Sequence, residues 1–463
     1  MNNTHLLELI QAFSPIERRE ARKFLHSPFF NTREDLVQLY DYLLKEPVPS
    51  REGAWERLFP DEPFDDQQLR LRMSYLHKLL EKYIAMSEWE SDGAGVQAQL
   101  AAGYRRRGLL TPFERARRKL EQDMERQPLR DAHFHQLQYR LRWEEAQAAT
   151  AENPAEPIPV QDLAQSLDAW YLSSRLRLIC LSAAQQGVYA SGARQGIDAE
   201  IVALAERGPW RELPAIAIYL HAFRMLGQPA EEGHFQPFKA LLLESAGRFA
   251  SEEMRGLYLM AINYCIRRIN GGEKGYFREA LDLYKPGLEN GFLLENGVLS
   301  RFTYHNIAAA GLQSGELDWV NRFIHDYRNA LERRYRESSF SFNLARLEYA
   351  RGRHGAVLEL LQQANYRDPL LNLAAKTLLL KTFYDLGEED LLQSHLDAMR
   401  NYIRRKRVIG YHRANYLNIV RYAEKLLNLN WGNKKAVAAL KKEIEEEEIL
   451  TEREWLGANL GGG

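Results

Sequence analysis

Apolar residues recur along this chain every three or four positions, and no stretch alternates with period two for long. That spacing predicts amphipathic helices throughout and no sheet. The clearest run is SFSFNLARLEYARGRHGAVLELLQQANYRDP, ending at Pro369. Phe342, Ala345 and Tyr349 share one face of a first helix, and Val357, Leu361 and Ala364 share one face of a second, with Gly352 between them. Pro369 is expected to stop the second helix, because proline supplies no N–H and disfavours helical geometry in the residue before it.

This helix–turn–helix unit recurs. Counting from Gly352, small or apolar residues lie seven before (Ala345) and five, nine and twelve after (Val357, Leu361, Ala364). The same offsets around Gly315 select Ala308, Val320, Ile324 and Tyr327, and around Gly387 they select Leu380, Leu392, Leu396 and Met399. The three glycines lie 37 and 35 residues apart, within the period range of helical repeats. Glycine suits such a turn because a helix often ends on a left-handed residue, where a Cβ is costly. The small residue at minus seven lets two helix backbones approach closely.

Through Ala308, Gly315, Ala345, Gly352, Ala364, Pro369 and Gly387, residues 300–400 resemble the tetratricopeptide repeat family. The tryptophan usual near the start of that family's first helix is absent, and Tyr304 and Ser341 lie in that region instead. The resemblance implies an all-α superhelix with a concave, ligand-binding face, and a protein or peptide partner rather than a catalytic site.

The flanking segments are helical too. Ser14-Pro15-Ile16-Glu17 reads as a capping box with proline at the first helical position, and Thr111-Pro112-Phe113-Glu114 as the same device. Asn31 and Thr32 precede a stripe of Leu36, Leu39, Tyr40 and Leu43, and Asp65 and Asp66 precede another of Leu69, Met73, Leu76, Leu80 and Tyr83. TAENPAEPIPV, residues 150–160, holds three prolines and reads as a linker. The expected organisation is an N-terminal helical bundle over residues 1–150 and a helical-hairpin solenoid over 151–430. A capping helix over 431–456 and a flexible tail, GANLGGG, over 457–463 would follow.

Composition is that of an ordinary globular chain: 463 residues, 45% hydrophobic, 27% charged, formal net charge −1. Near-neutrality implies no bulk affinity for polyanions, so any such affinity must be local. Cys180 and Cys265 are the only cysteines; both fall in apolar helical patterns, which suits buried free thiols in a reducing compartment. No signal peptide opens the sequence, and no apolar run approaches the roughly 20 residues of a membrane span. A cytoplasmic chain is expected.

Two basic stretches stand out. Residues 101–142 carry eleven Arg and Lys against five acids, and residues 401–431 carry seven against Glu424 alone, with Tyr402, Tyr411, Tyr416, Tyr422 and Trp431 interspersed. Basic groups interleaved with aromatics suit a single nucleic-acid strand, whereas a solvated face with internal ion pairs explains them equally simply. The helix over Leu69–Tyr83, preceded by one at Trp55–Phe59 and bearing Arg70 and Arg72, is compatible in length with a DNA-reading helix pair. His133 and His135 are spaced by two, not the four that helical zinc ligands need. No CxxC, HExxH, GxGxxG, P-loop or nucleophile motif occurs; the sequence calls for no metal, no cofactor and no catalysis. The acidic run Glu443 to Glu448 reads as a solvated terminal helix, with docking of its acids on a basic groove of another copy as the alternative.

The function expected is a protein–protein interaction scaffold that holds a peptide or protein segment on a concave face. The partner-binding residues expected are Tyr304, Asn343, Arg346, Lys376 and Lys381 near the matched repeats, with Arg404 and Arg413 beyond them. The alternative is a nucleic-acid-binding regulator that uses the N-terminal module, with the solenoid as sensor or oligomerisation arm.

Overall fold

The computed structural model describes residues 4–152, 155, 157, 160–186, 195–227, 232–363, 366, 368–405 and 411–460. It is all-α: twenty-three α-helices and one two-stranded hairpin occur among these residues. The chain divides into two compact units, Met1–Ser174 and Arg175–Gly463.

The first unit holds α1 (His5–Ala12), α2 (Pro15–His26), α3 (Glu34–Lys45), α4 (Arg51–Leu58), α5 (Asp66–Ser91), α6 (Gly93–Arg105), α7 (Leu110–Arg126), α8 (Ala132–Glu152) and the first half of α9 (Val160–Gln186). The capping box at Ser14 is formed in full: Ser14 Oγ accepts from the Glu17 N–H, and the Ser14 N–H donates back to the Glu17 carboxylate. Helix α5 is the axis of this unit and packs on α1, α2, α3 and α4. All five residues of its predicted stripe, Leu69, Met73, Leu76, Leu80 and Tyr83, are buried. Burying side chains of this size contributes about 1.5–3 kcal/mol each, enough to organise four shorter helices around one long one.

Thr111 does not repeat the Ser14 device. Helix α6 ends in a left-handed turn at Gly108, with φ of 67°, where the Leu109 N–H donates to Tyr104 O. That turn starts α7 at Leu110, so Thr111 falls inside the helix and Glu114 pairs with Arg117 and Arg118 instead. The division between the units lies within α9 and not in the proline-rich segment. Trp170 stacks on Tyr139 in the first unit, while Cys180 and Arg177 are engaged by Tyr219 O and by buried Glu253 in the second.

The second unit continues with α10 (Gln195–Arg207), α11 (Pro214–Gly227), α12 (Phe235–Glu244), α13 (Ser251–Asn270) and α14 (Tyr276–Glu289). The antiparallel hairpin β1 (Leu294–Glu295) and β2 (Val298–Leu299) follows. Then come α15 (Arg301–Gln313), α16 (Leu317–Asp326), α17 (Arg336–Ala350), α18 (His354–Gln363), α19 (Pro369–Asp385), α20 (Glu389–Arg405), α21 (Tyr411–Leu427), α22 (Lys434–Glu446) and α23 (Arg453–Ala458). Each of these helices from α13 to α21 packs on the next in sequence, and α17 also packs on α15 and α19.

The three repeat glycines are all left-handed, with φ of 76° at Gly315, 73° at Gly352 and 70° at Gly387. Each closes its helix with the same pair of hydrogen bonds. At Gly352, the glycine N–H donates to Tyr349 O and the Arg353 N–H donates to Glu348 O, the pattern that satisfies the orphan carbonyls of a helix end. Ala308, Ala345 and Leu380, at minus seven, are fully buried, as are Val320 and Val357, at plus five. Ala364 lies outside the described residues. Pro369 does not terminate α18; it is the first residue of α19, where Asp368 caps the Leu370 and Leu371 N–H groups.

Gly272 is a fourth member that the spacing concealed. Its φ is 94°, the Glu273 N–H donates to Arg268 O, and Cys265, Leu281 and Tyr284 are buried at minus seven, plus nine and plus twelve. The β1–β2 hairpin follows α14 and stretches the interval to Gly315, which hides the register. The C-terminal helix also differs from expectation. It breaks after Glu446 and resumes at Arg453, because Ile449 O and Thr451 are bound by side chains of α21. Leu460, within the expected tail, is buried with Leu450 and Leu456 in the core around α20 and α21.

Candidate functional site

The first helices of successive hairpins, α15, α17 and α19, share one wall with α21. A cleft of about 510 Å³ opens there, lined by Leu312 and Gln313 of α15, Phe342, Arg346, Tyr349 and Ala350 of α17, and Ala374, Thr377, Leu378 and Lys381 of α19. Tyr416 of α21 and the segment Thr451–Glu452 complete it. Arg301 of α15 pairs with Asp368 at the start of α19, 2.9 Å away.

Two cations face the cleft. Arg346 has no carboxylate within ion-pair distance among the described residues; its Nη1 has only two long contacts, 3.4 Å to His305 O and 3.4 Å to Asn343 Oδ1. Burial pushes its pKa down, opposed by the more distant Glu452 carboxylate. A guanidinium in such a place favours an anion that replaces lost water. Lys381 Nζ lies 2.8 Å from a Glu452 carboxylate oxygen, 5.0 Å from the Tyr349 ring centroid and 5.9 Å from that of Trp455. Tyr349 donates its hydroxyl to Asp385 at 2.6 Å, and burial is the main reason its pKa is raised. Burial likewise pushes the Tyr416 hydroxyl up to about 12, so both phenols remain hydrogen-bond donors at neutral pH.

Of the seven residues expected to bind a partner, Arg346 and Lys381 line the cleft. Tyr304 and Asn343 sit in the core, and both are fully buried. The Tyr304 hydroxyl donates to Ile324 O at 2.7 Å, and Asn343 Nδ2 donates to His305 Nδ1 and Ser339 O. These residues hold first helices to their neighbours, which explains their polarity without a ligand. Lys376 is half-buried 5.8 Å from the Tyr402 ring, and desolvation lowers its pKa. Arg404 and Arg413 are exposed on α20 and α21, either side of residues outside the description.

The sequence did not single out Thr451, Glu452 or the asparagines that hold them. Asn415 accepts the Thr451 N–H at 2.7 Å and donates to Thr451 Oγ1 at 3.0 Å, and Asn418 donates to Ile449 O at 2.9 Å. Their only signal is two asparagines three apart on an amphipathic helix.

The basic stretches are taken up in part by internal ion pairs. Arg105 pairs with Glu144, Arg117 with Glu114, Glu121 and Glu145, and Arg142 with Glu145. On α21, Arg421 pairs with Glu447 and Lys425 with Glu443, so the acidic run docks on this chain's own helix. Lys406 and Arg407 lie outside the described residues. Arg72 lies against Asp35 at 3.2 Å, and Arg70 against Asp66 at 2.5 Å. His135 is buried while His133 is exposed, and no cluster of three potential metal ligands occurs among the described residues. No helix among them is long and apolar enough to cross a membrane.

No family model matches the chain, and no curated protein or solved structure is found similar to it.

Proposed function

We propose that this protein is an interaction scaffold, a tetratricopeptide-like helical solenoid that holds a segment of a partner protein in the cleft on its first helices. The observation that carries this reading is Arg346, a cation facing a cleft of about 510 Å³ with no ion-pair partner among the described residues. Phe342, Tyr349 and Tyr416 around it offer apolar and hydrogen-bonding surface, the mixture that fixes and orients a ligand. The cleft is open to solvent, which suits holding a chain segment.

The test uses Arg346→Gln and Lys381→Gln, which remove charge without burying a carboxylate. Partners recovered from the native host on the wild-type protein should be lost from both variants while their thermal unfolding stays cooperative. Undiminished recovery on both variants would contradict the reading.

A further inference from the structure

The segment that lines one side of the cleft belongs to the chain itself, and it is held there as a bound peptide would be. Helix α22 ends at Glu446 and the chain turns away from it, and Asn418 and Asn415 then bind the Ile449 carbonyl and the Thr451 N–H. Asparagine side chains that pair with backbone N–H and C=O read a main chain irrespective of sequence. Glu452 then turns through a left-handed conformation, φ 48° and ψ 15°, that a non-glycine residue adopts only with strain. The turn aims its carboxylate at Lys381. Two residues on, Glu454 reaches Lys274 beside the Gly272 turn, at 2.6 Å. Trp455 packs edge-on against Tyr384 with ring centroids 5.3 Å apart.

We infer that residues 449–455 are an intramolecular pseudo-ligand, and that the partner segment the cleft takes is a peptide of the same chemistry: an acidic residue for Lys381 followed closely by an aromatic one. This rests on the proposed scaffold reading and names the class of partner. The strap satisfies Lys381 and leaves Arg346 without a carboxylate, so a competing segment that offers two acids gains an ion pair the strap does not make. A tethered segment has an effective concentration of about a millimolar, so only a partner with that extra contact, or one present in excess, displaces it. The strained backbone at Glu452 lowers the barrier to that exchange by making the docked strap less stable than its contacts alone imply.

The experiment uses a fluorescent peptide of residues 449–460, ILTEREWLGANL, titrated by anisotropy against the full chain. Wild type should bind it weakly, because its own strap holds the site. Glu452→Lys, which sets like charges against Lys381, should bind it at least tenfold more tightly, and the same peptide with alanine in place of its first glutamate should lose that gain. In Glu452→Lys/Lys381→Glu the ion pair is restored with its signs exchanged, so the strap closes again and peptide binding returns to the wild-type level. If Glu452→Lys fails to fold, Thr451→Ala/Glu452→Gln opens the strap with less disturbance and is held to the same tenfold expectation. An opened, cooperatively folded variant that binds no better than wild type, or that binds the alanine peptide equally well, overturns the inference. Partner recovery by wild type in that case would leave the scaffold reading standing, and only the strap would be reduced to a structural cap.

Discussion

Lys381 and Glu452 meet at 2.8 Å although 71 residues separate them in sequence. The lysine side chain is 15% exposed and the glutamate 34%, so the pair is sheltered without being desolvated. A double-mutant cycle of Lys381→Met and Glu452→Gln, followed by chemical denaturation, should give a coupling of about 1 kcal/mol, smaller in high salt. Zero coupling would mean that Trp455 and the leucines hold the strap unaided.

At Gly352 the space around a new Cβ is open, with no heavy atom within 4 Å, so backbone conformation alone sets the cost of a substitution. Gly352→Val should destabilise the chain by about 1–3 kcal/mol, and Gly352→Asn by less, because asparagine tolerates the left-handed region better. Denaturation midpoints decide it; equal effects of the two would point to lost packing.

Tyr304→Phe removes the hydroxyl that donates to Ile324 O and leaves that buried carbonyl short of a partner. Stability should fall by about 1–2 kcal/mol, with partner capture at the cleft unchanged. Loss of capture at unchanged stability would return Tyr304 to the binding wall.

His305 accepts a hydrogen bond from Asn343, and burial brings its pKa down to about 4. Arg346 and Arg301 also disfavour its protonation, while Asp368 favours it. An unfolded histidine titrates near 6.5, so between that value and about 4 the unfolded chain binds more protons and stability falls as pH falls. Burial depresses His135, His221 and His395 in the same direction. His305→Gln, which keeps an acceptor for Asn343, should therefore flatten the loss of stability between pH 7 and pH 5 in part. An unchanged slope would mean that His305 is protonated without cost in the folded chain.

What the sequence disclosed follows from where local chemistry leaves marks. Gly315, Gly352 and Gly387 announce their turns because only glycine takes a positive φ freely, and the alanines seven residues before two of them mark the close helix approach. The Ser14 cap was legible for the same reason. Gly272 reads in the sequence as an insert in an inter-helix turn, because the hairpin that follows α14 changes the interval to Gly315 and not the turn itself. The break at residues 447–452 has no proline or glycine to announce it, and the glutamates before it would carry on a helix; distant asparagines on α21 decide it. Tyr304 and Asn343 looked like wall residues because a buried hydrogen-bonding side chain and a ligand-binding one have the same identity in sequence. Arg346 and Lys381 differ from them only in what surrounds them, and that is a property of the packed helices.

Photo-crosslinking from inside the cleft tests the central claim most directly. Ala350 and Gln313 line it and are exposed, while Gln362 is exposed on the second helix α18. With a photoreactive residue at each position in turn, expressed in the native host, adducts to one partner are predicted from Ala350 and Gln313 and not from Gln362, and Arg346→Gln should abolish them. The same adducts from Gln362, or adducts that persist in Arg346→Gln, would contradict the account.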